Sequence, residues 1–401
     1  MNTILKNIQI PFELKKMNSL MTAAGFEAFL VGGAVRDILL GKKAHDWDLT
    51  TNARPEDVMK IFHKVIPTGI KHGTVTVHFM KKEIEITTYR ADQGYSDGRH
   101  PDKVVFADSI EDDLSRRDFT MNAIALSADG MLSDPFDGVR DIQNRTIRCV
   151  GDPKLRFTED ALRMFRALRF SARLGFTIEY ETIAAISECA PLAAELAPER
   201  VRDELEKILL TTRPETLGVA IKFGLLKRYI PGNGWANPNY ADIASMARKS
   251  LTRWVTFSIM LQKYGYIPSA HAFLEELRLD GRTLRCCADA EAMLKCEAPG
   301  DKLGWKRLLS RYGVDSVACA VAAYDVINGL SCEKEFKAVL KSGECFSLKH
   351  LAVSGDDLLS LGLKGPELGE MLKFLLDYVM EYPDNNKREI LLELAKYSEE
   401  S

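Results

Sequence analysis

Two glycines and two aspartates between residues 28 and 51 constrain this chain more than any other feature. The stretch reads Ala-Phe-Leu-Val-Gly-Gly-Ala-Val-Arg-Asp-Ile-Leu-Leu-Gly-Lys-Lys-Ala-His-Asp-Trp-Asp-Leu-Thr-Thr. Phe29–Val31 reads as a short buried strand that Gly32 and Gly33 end. A helix from Ala34 to about Leu40 follows, with Gly41 as its left-handed cap. A second strand, Trp47–Thr51, carries Asp46 and Asp48 at its entrance. Carboxylates at i and i+2 of a strand share a face, about 6–7 Å apart. They serve no apolar core, and they can converge on divalent ions about 4 Å apart, as in-line phosphoryl transfer requires. Mg²⁺ suits such all-oxygen ligation and shares its shell with substrate phosphates. Gly32 and Gly33 let a triphosphate approach the backbone, and the helix start aims free N–H groups at it. Arg36, in that first turn, can pair with phosphate oxygens. A surface Asp pair beside an ordinary turn is the competing reading. It would win for the glycines alone, and loses to Gly-Gly, Arg36 and Asp-x-Asp together.

Leu-Val-Gly-Gly-Ala-Val-Arg-Asp with Asp-Trp-Asp-Leu-Thr-Thr resembles the nucleotidyltransferase signature of the DNA polymerase β superfamily. More narrowly it is similar to the class II tRNA nucleotidyltransferases, the CCA-adding enzymes, and their poly(A) polymerase relatives. The resemblance implies an α+β fold: an N-terminal polymerase-β-like domain of mixed sheet and helices, then all-helical domains in an elongated arrangement.

A chain of 401 residues suggests two to four units, and 46% hydrophobic with 28% charged residues is an ordinary soluble mixture. A net charge of −3 supplies no global basic field, so any RNA-binding surface has to be a local patch. The eight cysteines form no Cys-x-x-Cys pair and read as buried thiols of a reducing cytosol, not as a zinc site or disulfide framework. Met1–Lys16 has no apolar core of signal-peptide type, and no apolar run approaches a membrane span. A cytoplasmic protein is expected, with no obligate protein partner.

Up to about residue 140 the pattern is α/β. Ile10–Ala24 and Pro55–His63 read as helices, the latter with Pro55 in its first turn and Asn52 or Thr51 as cap. His72–Met80 and Lys82–Tyr89 alternate around Lys81–Lys82 as an antiparallel hairpin whose second strand puts Glu83, Glu85 and Thr87 on one face. A third acid on a neighbouring strand is what the family's site wants, and Glu85 occupies the matching place; a solvated Glu on an exposed strand competes evenly. Gly94–Asp113 reads as a long functional loop, whose presence favours competence for A addition. A helix is expected to begin in Ser-Arg-Arg-Asp-Phe-Thr-Met-Asn-Ala, capped by Asp118. Arg116 and Arg117 would then precede a helix N-terminus, which disfavours cations unless an anionic ligand or the acidic run Glu111–Asp113 answers them.

After residue 140 helical patterns dominate, with seams near Gly138–Thr146, Pro198, Pro231–Pro238 and Lys341–Ser347. The expected division is 1–140 catalytic head, 141–210 base-selecting neck, 211–340 helical body and 341–401 tRNA-contacting tail. Phe157–Gly175 reads as one helix, with Thr158 as N-cap and Gly175 as stop. Asp160, Arg163 and Arg166 share a broad face with Arg169 at its edge, while Leu162, Phe165, Leu168, Phe170 and Ala172 pack. A salt-bridged surface helix is the plain reading. The functional one makes Asp160 and Arg163 a base-reading pair: a carboxylate accepts the exocyclic amine of C or A, and a guanidinium donates to the ring acceptor beside it. U or G would leave the carboxylate unpaired.

Glu-Asp-x-x-Arg-x-x-Arg-Ala-x-Arg-Phe is similar to the protein template of class II CCA-adding enzymes. Carried over residue by residue, the resemblance implies Gly33, Arg36 and Arg117 at the nucleotide, with the Arg-Arg-Asp motif near the ribose. It implies Asp46 and Asp48 at Mg²⁺, helped by Glu85, and Asp160, Arg163, Arg166 and Arg169 on the base and triphosphate. Glu199–Leu209 resembles the family's bracing helix, supported by (i, i+4) pairs Arg202–Glu206 and Asp203–Lys207. Residues 354–370 resemble the tail of bacterial members. The implied activity is template-independent addition of C, C and A to tRNA from CTP and ATP. Alternatives are partial addition (A only or CC only), poly(A) synthesis, or a non-catalytic RNA-binding scaffold. In the helical half, His271 reads as a core or surface histidine. Arg248, Lys249 and Arg253, or Lys302, Lys306, Arg307 and Arg311, could face RNA, although solvated faces are commoner. A helix Glu367–Tyr378 opened by Gly-Pro could hold an RNA phosphate.

Overall fold

The computed structural model describes residues 3–4, 10–44, 46–93 and 103–397. They belong to two compact units, one of residues 1–208 with 216–228 and one of residues 209–215 with 229–401.

The first unit opens with β1 (Thr3–Ile4), α1 (Phe12–Ala23), β2 (Ala28–Val31), α2 (Gly33–Leu39), β3 (Asp48–Thr51) and α3 (Pro55–Ile61). Next come β4 (Val65–Gly69), β5 (Thr74–Phe79), β6 (Lys82–Thr88), β7 (Arg90–Gln93), β8 (Lys103–Phe106) and α4 (Ile110–Ser115), then β9 (Ala125–Leu126) and β10 (Met131–Ser133). One mixed sheet runs in the order β1-β10-β9-β2-β3-β6-β5-β4. Every pairing in it is antiparallel except β3 with β6. That parallel pair sets Asp48 opposite Glu85. The β5–β6 hairpin turns through Met80 and Lys81, both at positive φ, as a two-residue loop of primed type demands. Its register pairs Phe79 with Lys82 and Thr76 with Glu85, so Glu83, Glu85 and Thr87 share a face as expected.

Three readings of this region change. Helix α3 begins after Arg54 without a side-chain cap; the Thr51 hydroxyl instead accepts the N–H of Ala53. The loop Gly94–Asp113 lies outside the described residues over 94–102; the remainder contains β8, paired with β7, and α4. Ser109 caps α4 through its side chain. Arg116 and Arg117 therefore follow a helix C-terminus, where cations are favoured, and both pair with Asp113 of the acidic run. Beyond them is only a 3-10 turn, Thr120–Asn122.

Helices α5 (Gly138–Gln143), α6 (Pro153–Glu159), α7 (Leu162–Leu174), α8 (Tyr180–Cys189), α9 (Pro198–Leu209) and α10 (Thr216–Lys222) follow, with β11 (Thr146–Ile147) and β12 (Thr177–Ile178) in a parallel pair. The expected single helix from Phe157 is two. Asp160 has extended angles (φ −149°, ψ 103°) between α6 and α7, and its carboxylate accepts the N–H of Leu162. Thr158 is no cap; its hydroxyl donates to the Lys154 carbonyl inside α6. Asp wins here because it satisfies an orphan helix N–H, which periodicity alone does not reveal. Leu162, Phe165, Leu168, Phe170 and Ala172 are buried as expected, each large side chain contributing about 1.5–3 kcal/mol of burial.

The second unit is helical: α11 (Ser250–Lys263), α12 (Ala270–Glu276), α13 (Gly281–Met293), α14 (Lys302–Asn328, kinked at Gly313), α15 (Glu333–Ser342), α16 (Gly355–Leu359), α17 (Gly365–Glu381) and α18 (Arg388–Tyr397). Leu358, Leu375, Val379, Leu391 and Ala395 form a core under the last three. Two basic candidates turn inward. Arg253 is 1% exposed and Lys306 3%. The Arg253 guanidinium donates to the carbonyls of Leu209, Thr211, Ala244, Met246 and Ala247. Lys306 holds Glu344 and the Met380 carbonyl, and Lys302 shares Glu344. Arg253 and Lys306 thus fasten the helical unit from within, while Lys302 stays exposed beside Glu344. No helix among the described residues is long and apolar enough to cross a membrane. Six of the eight free cysteines are buried, Cys189 is partly so and Cys296 is exposed.

Candidate active site

Gly32 leaves β2 at φ +71° and ψ −136°, a conformation that only glycine adopts without strain. A Cβ there would point at Arg117 Nη1, 3.5 Å away, and Asp48 Oδ2, 3.9 Å away. The turn thus brings bare backbone up to the acid of β3. Asp46 and Asp48 are exposed at this edge. Although open to solvent by area, Asp48 is hemmed in by protein. That desolvation, then the neighbouring Glu85 and Asp46 carboxylates, lift its pKa above the usual range, while Arg117 opposes the rise. Excess negative charge beside bare glycine backbone fits a divalent cation. Among the described residues no three acid, His or Cys side chains close into a metal cage. An ion here therefore has to complete its shell with water and substrate oxygens, which Mg²⁺-type sites do.

The arginines of the site are held by acids that lie behind them. Buried Asp113 accepts from Arg116 at 2.7 Å and from Arg117 at 3.0 Å, and these cations keep its pKa low despite burial. Asp118 takes the backbone N–H of Phe119, the Asn122 amide and Arg166 Nε at 2.8 Å. Burial would raise the Asp118 pKa; Arg166 and Asn122 overcome it and hold the carboxyl at about 2. Arg163 donates to Glu159 at 2.6 Å and to the carbonyls of Arg156 and Arg116. Its expected surface pairing with Asp160 is not made: Asp160 Oδ2 accepts Arg200 of α9 at 2.9 Å. Arg169 is paired with buried Glu204, also of α9. Helix α9 does brace α7, through Arg200 and Glu204; Lys207 pairs with Glu204 and Arg202 with Asp203.

Arg36 is 3% exposed, sits in the last turn of α2, and gives Nε, Nη1 and Nη2 to Asp37 and Asn122. Its guanidinium lies 5.4 Å from the Phe170 ring centre, which Arg166 and Arg169 also face at 5.6 and 4.2 Å. One ring of α7 therefore collects cations from both sides of the site.

All of this surrounds a single cavity of about 600 Å³. Gly32, Gly33, Arg36, Asp46, Asp48 and Arg117 line one side of it; Asp160, Arg163, Arg166 and Arg169 line the other. Glu85 adjoins Asp48 across the strand pair without reaching the lining. The paired acids and the Asp–Arg couple, more than a hundred residues apart in sequence, open into the same space. The sequence pointed to Asp113 as one acid of the run that answers Arg116 and Arg117, and did not point to Asn122, Arg200 or Glu204. Only the (i, i+4) spacing of Arg200 and Glu204 on one helical face could have signalled that pair.

The model of the Poly A polymerase head domain matches residues 28–148, and the one described as "Probable RNA and SrmB- binding site of polymerase A" matches residues 175–233. The chain is 35% identical to the CCA-adding enzyme of Enterococcus faecalis over 98% of both chains. The chain belongs to the CCA-adding enzyme and poly(A) polymerase family. The CCA-adding enzyme of Leuconostoc citreum is 38% identical over 93% of both chains. Among solved structures, the Bacillus stearothermophilus CCA-adding enzyme in complex with CTP superimposes with a TM-score of 0.79, at 31% identity over 98% of both chains. The family's nucleotidyl transfer needs a divalent metal, and Asp46 just before β3, Asp48 on β3 and Glu85 on β6 are the group that fits one.

Proposed function

We infer that this protein adds C, C and A to the 3′ end of tRNA, using CTP and ATP and releasing pyrophosphate. The observation that carries the reading is the one cavity shared by Asp46 and Asp48 with Asp160 and Arg163. In the reaction the tRNA 3′-oxygen forms a bond to the α-phosphorus as the bond to the pyrophosphate oxygen breaks, in line. Asp46 and Asp48, next to Glu85, would hold Mg²⁺, which would supply charge neutralisation for the transfer. Gly32 and Gly33 expose backbone to the triphosphate, and Arg117 and Arg166 present guanidinium groups to it. Arg36, bound to Asp37 and Asn122, sets the shape of this wall and has N–H groups to spare for phosphate.

Base choice falls to Asp160 and Arg163. One Asp160 oxygen is shared between Arg200 and the incoming exocyclic amine, since a carboxylate oxygen accepts twice. Arg163 spends three donor contacts on Glu159 and two carbonyls and keeps N–H groups for a ring acceptor. Cytosine and adenine satisfy both partners, whereas U and G face Asp160 with a carbonyl. The residues beyond 340 form the tRNA-contacting tail, and the enzyme works in the cytoplasm.

Incubating wild type with tRNA ending before CCA, with CTP, ATP or both, and sequencing the 3′ ends tests the reading. Addition of all three nucleotides with both substrates, abolished by Asp46→Ala, is the expected result. C alone, A alone or an A tract would identify a partial adder or poly(A) polymerase. No incorporation by wild type would leave a non-catalytic scaffold.

A further inference from the structure

We propose that Arg173 binds the outermost phosphate of the incoming nucleotide and then the pyrophosphate it becomes, a role that rests on the nucleotidyl-transfer reading above. Eight arginines line the cavity. Seven of them hold a carboxylate of the protein. Arg173 is the eighth, exposed in the last turn of α7. Among the described residues it makes no hydrogen bond, ion pair or ring contact. Its charge is therefore the one in the cavity not already answered by the protein.

Position along α7 gives the charge its ligand. Base-reading Asp160 and Arg163 stand at the N-terminal end of the helix. Arg36, from the triphosphate side of the cavity, packs on Phe170, one turn before Arg173. A nucleotide with its base at Arg163 and its phosphates at Phe170 thus runs toward the C-terminal end of α7. From Arg163 to Arg173 the helix rises about 15 Å, and side chains lean back toward the N-terminus. An extended nucleoside triphosphate covers that length, which leaves its last phosphate beside the free guanidinium. A helix C-terminus favours a cation in any case. That preference is met by any side-chain direction, whereas Arg173 lines the cavity. A tRNA backbone phosphate offers the same chemistry from another source, and the test separates the two.

Arg173→Ala and Arg173→Lys are compared with wild type for nucleotide KM, for inhibition by inorganic pyrophosphate, and for tRNA binding on filters. Arg173→Ala should raise the KM of CTP and of ATP, and the inhibition constant of pyrophosphate, by about tenfold, the loss of one charge-assisted contact. Lysine should restore most of it, with tRNA affinity and the unfolding midpoint unmoved. Unchanged pyrophosphate inhibition, or a loss confined to tRNA binding, would overturn the assignment. Wild-type enzyme that extends no tRNA would sink the underlying reading instead, so the two failures are distinct.

Discussion

Replacing Asp118 with asparagine isolates the contact that fastens the Arg-Arg-Asp segment to α7. The side chain is 8% exposed and its carboxyl is held at about 2, against an ordinary value of 3.8. That difference corresponds to about 2–3 kcal/mol of native-state stability at neutral pH. Because the folded pKa is depressed, the stabilisation is full above pH 4 and is lost as pH falls through about 2. At pH 3 about half of it should remain. The amide keeps the shape but removes the charge from Arg166; its NH₂ only donates, so its single oxygen serves either Phe119 N–H and Asn122 or Arg166, which the two Asp118 oxygens serve together. Hydrogen exchange of peptides covering 162–174 reads the effect locally. The opening free energy in Asp118→Asn should fall by about 2–3 kcal/mol at pH 7, and the gap from wild type should shrink toward pH 3. Equal protection at pH 7, or a gap that widens on acidification, would refute the assignment of the Asp118–Arg166 pair.

Asp48→Asn should abolish incorporation while raising the melting temperature of metal-free protein slightly. Desolvation and the neighbouring Glu85 and Asp46 carboxylates raise the Asp48 pKa in the folded protein, so the wild type gains stability at this site as pH falls. A lower melting temperature would contradict the crowding of negative charge there. Arg200→Gln should leave the overall fold intact and let Asp160 swing, so misincorporation of UTP should rise about tenfold relative to CTP, as a loosened hydrogen-bonding site allows. Single-nucleotide extension assays check this, and unchanged selectivity would remove Arg200 from base reading.

The strand–helix–strand unit was legible because local rules decide it. Gly32 alone suits its backbone angles, Gly41 sits at positive φ after α2, and the Asp46–Asp48 spacing fixes a shared face. Glu85 was legible as part of a hairpin, but its station opposite Asp48 follows from a parallel pairing no local pattern encodes. Helix α4 escaped notice because three acids in its first turn beside a glycine- and proline-rich run resemble loop. The break at Asp160 hid inside unbroken helical periodicity. Counter-ions were the least legible layer. Arg166 finds Asp118 and Arg169 finds Glu204 across 48 and 35 residues, a choice made by packing, not by spacing. The same holds for Arg253 and Lys306, whose charge suggested solvent or RNA and whose folded partners are carbonyls and one glutamate.

The Met80–Lys81 bend has a consequence for how this enzyme can vary. Side chains alternate along β6, so a one-residue slip would carry Glu85 to the opposite surface and bring a hydrophobic neighbour to Asp48. Point changes in the strands preserve that frame, while a single inserted or deleted codon in the bend does not. Length in this hairpin is therefore held more tightly than identity, and natural variation among such enzymes should be rich in replacements here and nearly free of indels.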